Sequence, residues 1–304
     1  MLSVENLCFS TMTGHIIQKE QLILDHISFS VQANSAVAYI GENGAGKTST
    51  FRILCGLAQP SEGEIRFHGQ PVTRGLPSSK VGFMPEQPYF YKNLTPYEFL
   101  AGMGAISGID KRTIKQRIHA WAEKLSFAHV LHQKTSTCSK GQIQRVGLAQ
   151  ALIHEPEFIL LDEPLSGLDP IGRATIRGVI QDEIKRGATV LFSSHILSDA
   201  EMLCDHVIML HRGKKIFAGA IESLLHGQQQ WVIHAESVGH LDVPDSCFIT
   251  QQHDQHYTIE THRVELRDAI IQQILSDEQA SLIAVQPKQM TLEEAFLNIN
   301  RGTA

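Results

Sequence analysis

The chain is short of long hydrophobic runs, of paired cysteines and of positive charge, and each shortage argues against a class of function. No stretch of its 304 residues approaches the 18 or so consecutive apolar residues that a membrane span needs, so it is not expected to cross a bilayer. Residues 1–6 bring neither a basic flank nor a short apolar core, which argues against a secretory leader and for the cytosol. Five cysteines lie scattered at positions 8, 55, 138, 204 and 247, with no C-x-x-C spacing and one left over. They read as small packing residues in a reducing compartment. Lysine and arginine total 26 against 32 acidic residues, a formal charge of −6, which offers no electrostatic footprint for a nucleic acid. What remains, 42% hydrophobic and 19% charged, is a globular composition, and the length suits one large domain with a smaller second one.

Against these shortages stand three ordered pieces of phosphate chemistry. The first, Gly41-Glu-Asn-Gly-Ala-Gly-Lys-Thr48, has two glycines with four residues between them, followed by Lys and Thr. An apolar run, 35–40, precedes it and a helical pattern, 48–54, follows, so the loop sits between strand and helix as a phosphate cradle must. Gly41, Gly44 and Gly46 let successive N–H groups turn inward, Lys47 is expected to reach the β and γ phosphates, and Thr48 to hold Mg²⁺. The second piece is the run 158–161, apolar as a strand buried on both faces would be, ending in Asp162 and Glu163. Asp162 is expected to hold Mg²⁺ through water and Glu163 to orient the attacking water. In the third, another buried run, 188–192, leads to Ser194 and His195, an imidazole expected beside the γ phosphate.

With these pieces in this order, the chain resembles the ATPase subunit of an ABC transporter from about residue 2 to residue 220. The resemblance implies an α/β fold: a P-loop NTPase core with a mainly parallel sheet, an antiparallel β part and a helical subdomain at about 88–145. Residues 221–304 would form a small C-terminal α+β domain. It implies ATP binding by Gly41, Asn43, Gly44, Ala45, Gly46, Lys47, Thr48 and Ser49, with Mg²⁺ held by Thr48, Asp162 and Gln87. Glu163, His195 and Gln87 would be the catalytic set. Ser139, Gly141 and Gln142 match the signature loop and residues 166–169 the D-loop, with Asp169 among the nucleotide-binding residues. In this family two ATPase domains sandwich two ATP molecules, each γ phosphate held by one domain's phosphate loop and the other's signature loop. One copy of each motif therefore implies a homodimer, or a heterodimer with a related ATPase. The implied partner is a separate transmembrane permease, and the implied location is the cytoplasmic face of the cell membrane. A signature loop ahead of a helix start is also, on physical grounds, an anion site in need of a phosphate from elsewhere.

Three departures from the family pattern stand out. The signature carries Cys138 for leucine and Lys140 for the first glycine, which reads as a variant because the lysine still supplies its backbone N–H. The position that normally stacks on adenine falls at Thr11, leaving Phe9 or His15 as substitutes. Asn34 replaces a glycine, and asparagine tolerates the left-handed conformation of such a turn. Between Gln87 and Ser139 the stretch that faces the membrane partner opens on Pro88-Tyr-Phe-Tyr91, three rings that one short loop cannot all bury. A capping box at Thr95 and Glu98, with Pro96 at the first helical position, starts a helix just after them.

Beyond a polar joint at 227–230, the sequence predicts strands at 231–235, 247–250, 257–260 and 281–285. It also predicts a helix over 264–275 and a last amphipathic helix opened by a Thr291/Glu294 box. The stretch 290–297 is similar to the tails of exporter ATPases. His253, His256 and His262 have no matching ligand spacing and are expected to be solvated. The function expected is ATP-driven export through a separate permease. Two alternatives are a nucleic-acid or ribosome ATPase, which lacks its usual second ATPase domain here, and a regulatory subunit, which intact Glu163 and His195 oppose.

Overall fold

A computed structural model of the chain describes residues 1–13, 19–226, 230–238, 248–253, 256–261, 263–288 and 291–302. The chain divides into two compact units, Met1–Ala220 and Ile221–Ala304. In the first unit the elements run β1 (Leu2–Thr13), β2 (Lys19–Val31), β3 (Ala36–Gly41), α1 (Lys47–Leu54), β4 (Glu62–Phe67), β5 (Gln70–Pro71) and β6 (Val81–Met84). They continue with α2 (Pro96–Ile106), α3 (Lys111–Lys124), α4 (Lys140–Leu152), β7 (Phe158–Leu161), α5 (Pro170–Lys185), β8 (Thr189–Ser194), α6 (Leu197–Leu203), β9 (His206–His211) and β10 (Lys214–Ala220).

The site is positioned by a six-stranded sheet in the order β10-β9-β3-β8-β7-β6, parallel except where β10 pairs with β9. Strands β3, β7 and β8 are buried along their whole length, which is why each reads as a continuous apolar run with no alternation. Because β3, β8 and β7 are adjacent and parallel, their carboxyl ends come out side by side. Those ends carry the phosphate loop, Ser194 with His195, and Asp162 with Glu163, and the crevice beyond such strand ends is where open α/β sheets bind ligands. A second sheet, β2-β1-β4-β5, is antiparallel. Its inward residues Leu7, Leu24, Ile27 and Ile65 join Tyr39, Phe51 and Phe158 in one core. The Tyr39 hydroxyl, fully buried, meets Thr50 Oγ1 at 3.1 Å, and burial pushes its ionisation up.

The helical part begins where the sequence says it should. Thr95 caps α2, its hydroxyl accepting from the Glu98 N–H while Glu98 accepts from the Thr95 N–H at 2.8 Å. Of the three adjacent rings only Phe90 is buried, 4.5 Å from Phe99, whereas Tyr89 and Tyr91 are 78% and 70% exposed. Helix α4 runs on to Leu152 and packs on β6, where Gly82 is obligatory because a Cβ would strike the Ala151 carbonyl oxygen. Asn34 takes φ 57°, the left-handed turn its side chain tolerates.

The second unit contains α7 (Ile221–His226), β11 (Gln230–Ser237), β12 (Phe248–His253), β13 (His256–Thr261), α8 (Val264–Ser276), β14 (Ala280–Lys288) and α9 (Leu292–Gly302). Its strands form one antiparallel sheet, β12-β13-β11-β14, and α8 buries Ile270 and Ile274 against Ile233, Tyr257 and Ile259. The box at Thr291 and Glu294 forms around the start of α9. Helix α7 has no counterpart in the sequence reading, being too short for a periodicity to show. Residues 227–229 of the polar joint, Cys247 and His262 lie outside the described residues.

Candidate active site

The loop from β3 to α1 closes tightly over strand β2. Gly46 has φ 104°, and a Cβ there would collide with Leu24, so glycine is required both by conformation and by space. Lys47 opens α1 with a side chain only 6% exposed, donating to the carbonyl oxygens of Gly41 at 2.6 Å and Glu42 at 3.3 Å. Its ammonium stands 3.3 Å from Glu163 Oε1.

Asp162 leaves β7 almost fully buried, with Oδ1 accepting from Ser193 Oγ at 2.6 Å and Thr48 hydrogen-bonded to the same carboxylate. Burial pushes its ionisation above the usual carboxylate range. The Ser193 and Thr48 hydrogen bonds pull it down, Glu163 pushes it up, and Lys47 pulls it down. Glu163 adopts φ 49°, a left-handed conformation that costs a glutamate roughly 1–3 kcal/mol and is kept where the surroundings enforce it. Its backbone N–H donates to Ser193 Oγ at 2.8 Å, so one hydroxyl ties the Asp162 carboxylate to the Glu163 backbone. Glu163 Oε2 meets His195 Nδ1 at 2.8 Å, and the imidazole remains 42% exposed.

Gly46, Lys47, Thr48, Glu163 and His195 line one cleft of about 460 Å³ together with Glu42, Asn43, Gly44, Ser49 and Ser166, while Asp162 and Ser193 are buried outside that lining. The buried Asp162 Oδ2 has no hydrogen-bond partner among the described residues, and Glu163 Oε1 has only the Lys47 ammonium at 3.3 Å. Buried lone pairs without donors are costly. A hard divalent cation such as Mg²⁺ accepts such oxygens, so Thr48 and Asp162 fit the metal expected from the sequence.

Other expected residues stand elsewhere. Gln87 is exposed and does not line the cleft; the neighbouring Glu86, in the bend just past β6, does. Ser166 lines it, while Asp169 caps α5 by accepting from the Gly172 N–H at 2.9 Å. Ser139, Gly141 and Gln142 lie outside this lining. Ser139 caps α4 in a box with Gln142, whose Oε1 accepts from the Ser139 N–H at 2.7 Å, and Gln142 Nε2 sits 3.0 Å from His129 Nε2. Around the expected adenine position Thr11 is exposed and Phe9 packs against the core, while His15 lies outside the described residues. Ile23 is the apolar side chain that lines the cleft. Sequence reasoning passed over Ile23, Glu86 and Ser193; only Ser193 carried a signal, as the residue next to Ser194 and His195 at the end of a buried strand. His256 pairs with Glu236 at 3.1 Å.

The ABC transporter family matches residues 24–166. Over 229 residues the chain is 38% identical to an uncharacterised ABC transporter ATP-binding protein of Bacillus subtilis, YxlF, spanning 75% of this chain and 74% of that one. The bacitracin transport ATP-binding protein BcrA of Bacillus licheniformis is 40% identical over 197 residues, 64% of this chain and 63% of its own length. Among solved structures, the ATP-binding cassette MJ0796, in a dimeric post-hydrolysis state bound to ADP and Pi, matches with a TM-score of 0.66 at 22% identity. That match spans 73% of this chain and 99% of the cassette, a likeness of fold. The chain belongs to the ABC transporter family, as an ATP-binding subunit with a single nucleotide-binding domain, and is an ATPase.

Proposed function

We propose that two copies of this ATPase domain, or one copy and a related subunit, close on ATP and open on hydrolysis to power export through a separate permease at the cytoplasmic face of the membrane. The observation that carries the reading is an asymmetry within one chain. Phosphate loop, carboxylates and imidazole share a cleft, whereas the signature helix start points its exposed Ser139 and Lys140 elsewhere. A helix start with free backbone N–H groups attracts a phosphate, and here a second chain would bring it. In the closed pair the phosphate loop binds ATP, and Thr48 and Asp162 would hold a Mg²⁺ whose charge would offset that of the phosphates. Glu163 takes the proton of the attacking water, oriented by its hydrogen bond to His195. Gln87 and Asp169 would reach the nucleotide only on closure.

A permease needs a place to press. Leu57 and Ile106, 61% and 80% exposed, flank an apolar notch of about 470 Å³ that also involves Cys55, Phe83, Pro85 and Met103. Exposed Tyr89 and Tyr91 follow the same β6 exit. No helix among the described residues is long and apolar enough to cross a membrane, which fits a permease supplied separately. The test is a pull-down of tagged Glu163→Gln protein with Mg-ATP from detergent-solubilised membranes of its host. Co-purification of a multi-span membrane protein is the expected result; ribosomal proteins or nucleic acid with no permease would overturn it.

A further inference from the structure

Far along the chain from the carboxylates, three potential ligands from three adjacent strands meet on the antiparallel sheet. Cys8 Sγ on β1, a ring nitrogen of His26 on β2 and a carboxylate oxygen of Glu62 on β4 all lie within 4.8 Å of one another. Cys8 and Glu62 are cross-strand partners, and the β1 ladders are irregular at this point, with register shifts between Glu5 and Cys8 and between Leu7 and Phe9. His26 sits at φ 49°, an unusual conformation for a residue inside a strand.

We propose that Cys8, His26 and Glu62 form a zinc site. His26 Nδ1 lies 2.7 Å from Asp25 Oδ1, so the ring proton belongs on Nδ1 and the Nε2 lone pair faces Glu62 Oε2 at 3.9 Å. A carboxylate behind a histidine fixes the tautomer and ring orientation of a ligating imidazole. The His26 backbone N–H donates to Cys8 Sγ at 3.3 Å, which holds the sulfur beside the imidazole-bearing residue. Sulfur, imidazole nitrogen and carboxylate oxygen thus gather within 4.8 Å of one another, and a cation among them relieves the repulsion of their lone pairs. Tetrahedral zinc, with bonds of about 2.0–2.3 Å, sets neighbouring ligand atoms roughly 3.5 Å apart, so the three donors, now within 4.8 Å of one another with His26 Nε2 and Glu62 Oε2 at 3.9 Å, draw together on binding. The mixed S, N and O set suits a borderline cation and argues against Mg²⁺ or Ca²⁺.

On binding, the Cys8 thiol proton leaves to solvent. Thiolate and carboxylate then balance the two charges of the metal, and with His26 and Glu62 side chains 64% and 71% exposed, water completes the fourth position. The bound metal ties β1 to both its neighbours. This reading replaces the expectation that Cys8 is only a packing residue.

The test is a titration of the full-length, chelator-stripped protein with Co²⁺, a spectroscopic stand-in for Zn²⁺, under saturating Mg²⁺ that occupies the phosphate site. One equivalent should develop a thiolate-to-cobalt charge-transfer band with tetrahedral ligand-field absorption, both lost on adding Zn²⁺. Cys8→Ser abolishes the band. His26→Gln and Glu62→Gln, at exposed positions that leave the fold intact, weaken binding at least about tenfold, and Asp25→Asn, which keeps all three ligands, by about 10- to 100-fold. Absence of the band, its survival in Cys8→Ser, or unchanged affinity in both exposed variants would overturn the site.

Discussion

Two helix starts in the first unit, those of α1 and α4, present backbone N–H groups to solvent-accessible space, and they are built in opposite ways. The start of α1 is buried with its own cation, Lys47, and faces two carboxylates, a hydroxyl and an imidazole drawn from neighbouring strands. That of α4 is exposed and satisfied only by its own capping box, Ser139 with Gln142. The first has enough chemistry for phosphate, metal and water. The second has an anion-binding geometry and no reacting group, so it makes sense only against another molecule's nucleotide.

The largest expected effect breaks the first helix start's chemistry and leaves its binding intact. Glu163→Gln removes a general base, worth about 10²- to 10⁴-fold in turnover. Phosphate release should fall by that amount, while gel filtration with Mg-ATP shows a lasting dimer; a monomer would mean that the two helix starts never meet across a nucleotide.

Asp162→Asn sharpens the role of the buried carboxylate. Metal stabilisation of transferring phosphoryl groups is worth several kcal/mol, so ATPase activity should fall by at least about 100-fold. Stability should move the other way. Burial raises the folded ionisation of Asp162 above its unfolded value, so the folded state holds more protons between those two values. Stability therefore falls as pH rises through that window, and the neutral amide avoids the loss. Thermal unfolding without metal at pH 7 should occur at higher temperature for the variant; a lower value would contradict the burial argument.

Lys47→Ala and Ser139→Ala separate the two helix starts directly. Loss of a charge-assisted hydrogen bond costs about 1.5–3 kcal/mol. Nucleotide binding by the single subunit, followed by fluorescent ATP titration, should weaken about 10- to 150-fold in Lys47→Ala and not in Ser139→Ala. The latter should bind nucleotide normally and show its defect in ATP-induced dimerisation and in the turnover that depends on it.

The smallest effect is a matched pair. Ser139→Ala and Thr95→Ala each remove the hydroxyl of a capping box, for about 1 kcal/mol of stability in denaturant unfolding. Only Ser139→Ala should also lower ATPase activity. Equal activities would reduce Ser139 to a helix cap.

Much of this arrangement was legible in advance where neighbours along the chain decide it. The boxes at Thr95/Glu98 and Thr291/Glu294 formed as spelled, and the apolar runs before Gly41, Asp162 and Ser194 became the buried parallel strands. Of the aromatic triplet, the sequence required some exposure but did not say that Phe90 alone would turn inward against Phe99. Nor did it favour Glu86 over Gln87 or Ser166 over Asp169 as cleft residues, since the path of a loop decides the first pair and the cap of α5 takes up Asp169. Ile23 and the Cys8, His26 and Glu62 cluster were invisible because their neighbours come from other strands, and Ser193 showed only its place beside Ser194 and not its tie to the Asp162 and Glu163 segment.

The sequence by itself therefore determined the kind of chemistry and the local geometry that serves it. Phosphate cradles, helix caps and doubly buried strands depend on residue types at short fixed spacings, and backbone hydrogen bonding makes those spacings decisive. The tertiary structure alone decided which side chains face one another: that Ser193 joins Asp162 to Glu163, that His195 reaches Glu163, and that the signature start stays outside its own chain's cleft. Strand order and register bring those residues together, and both are settled by the packing of the whole sheet.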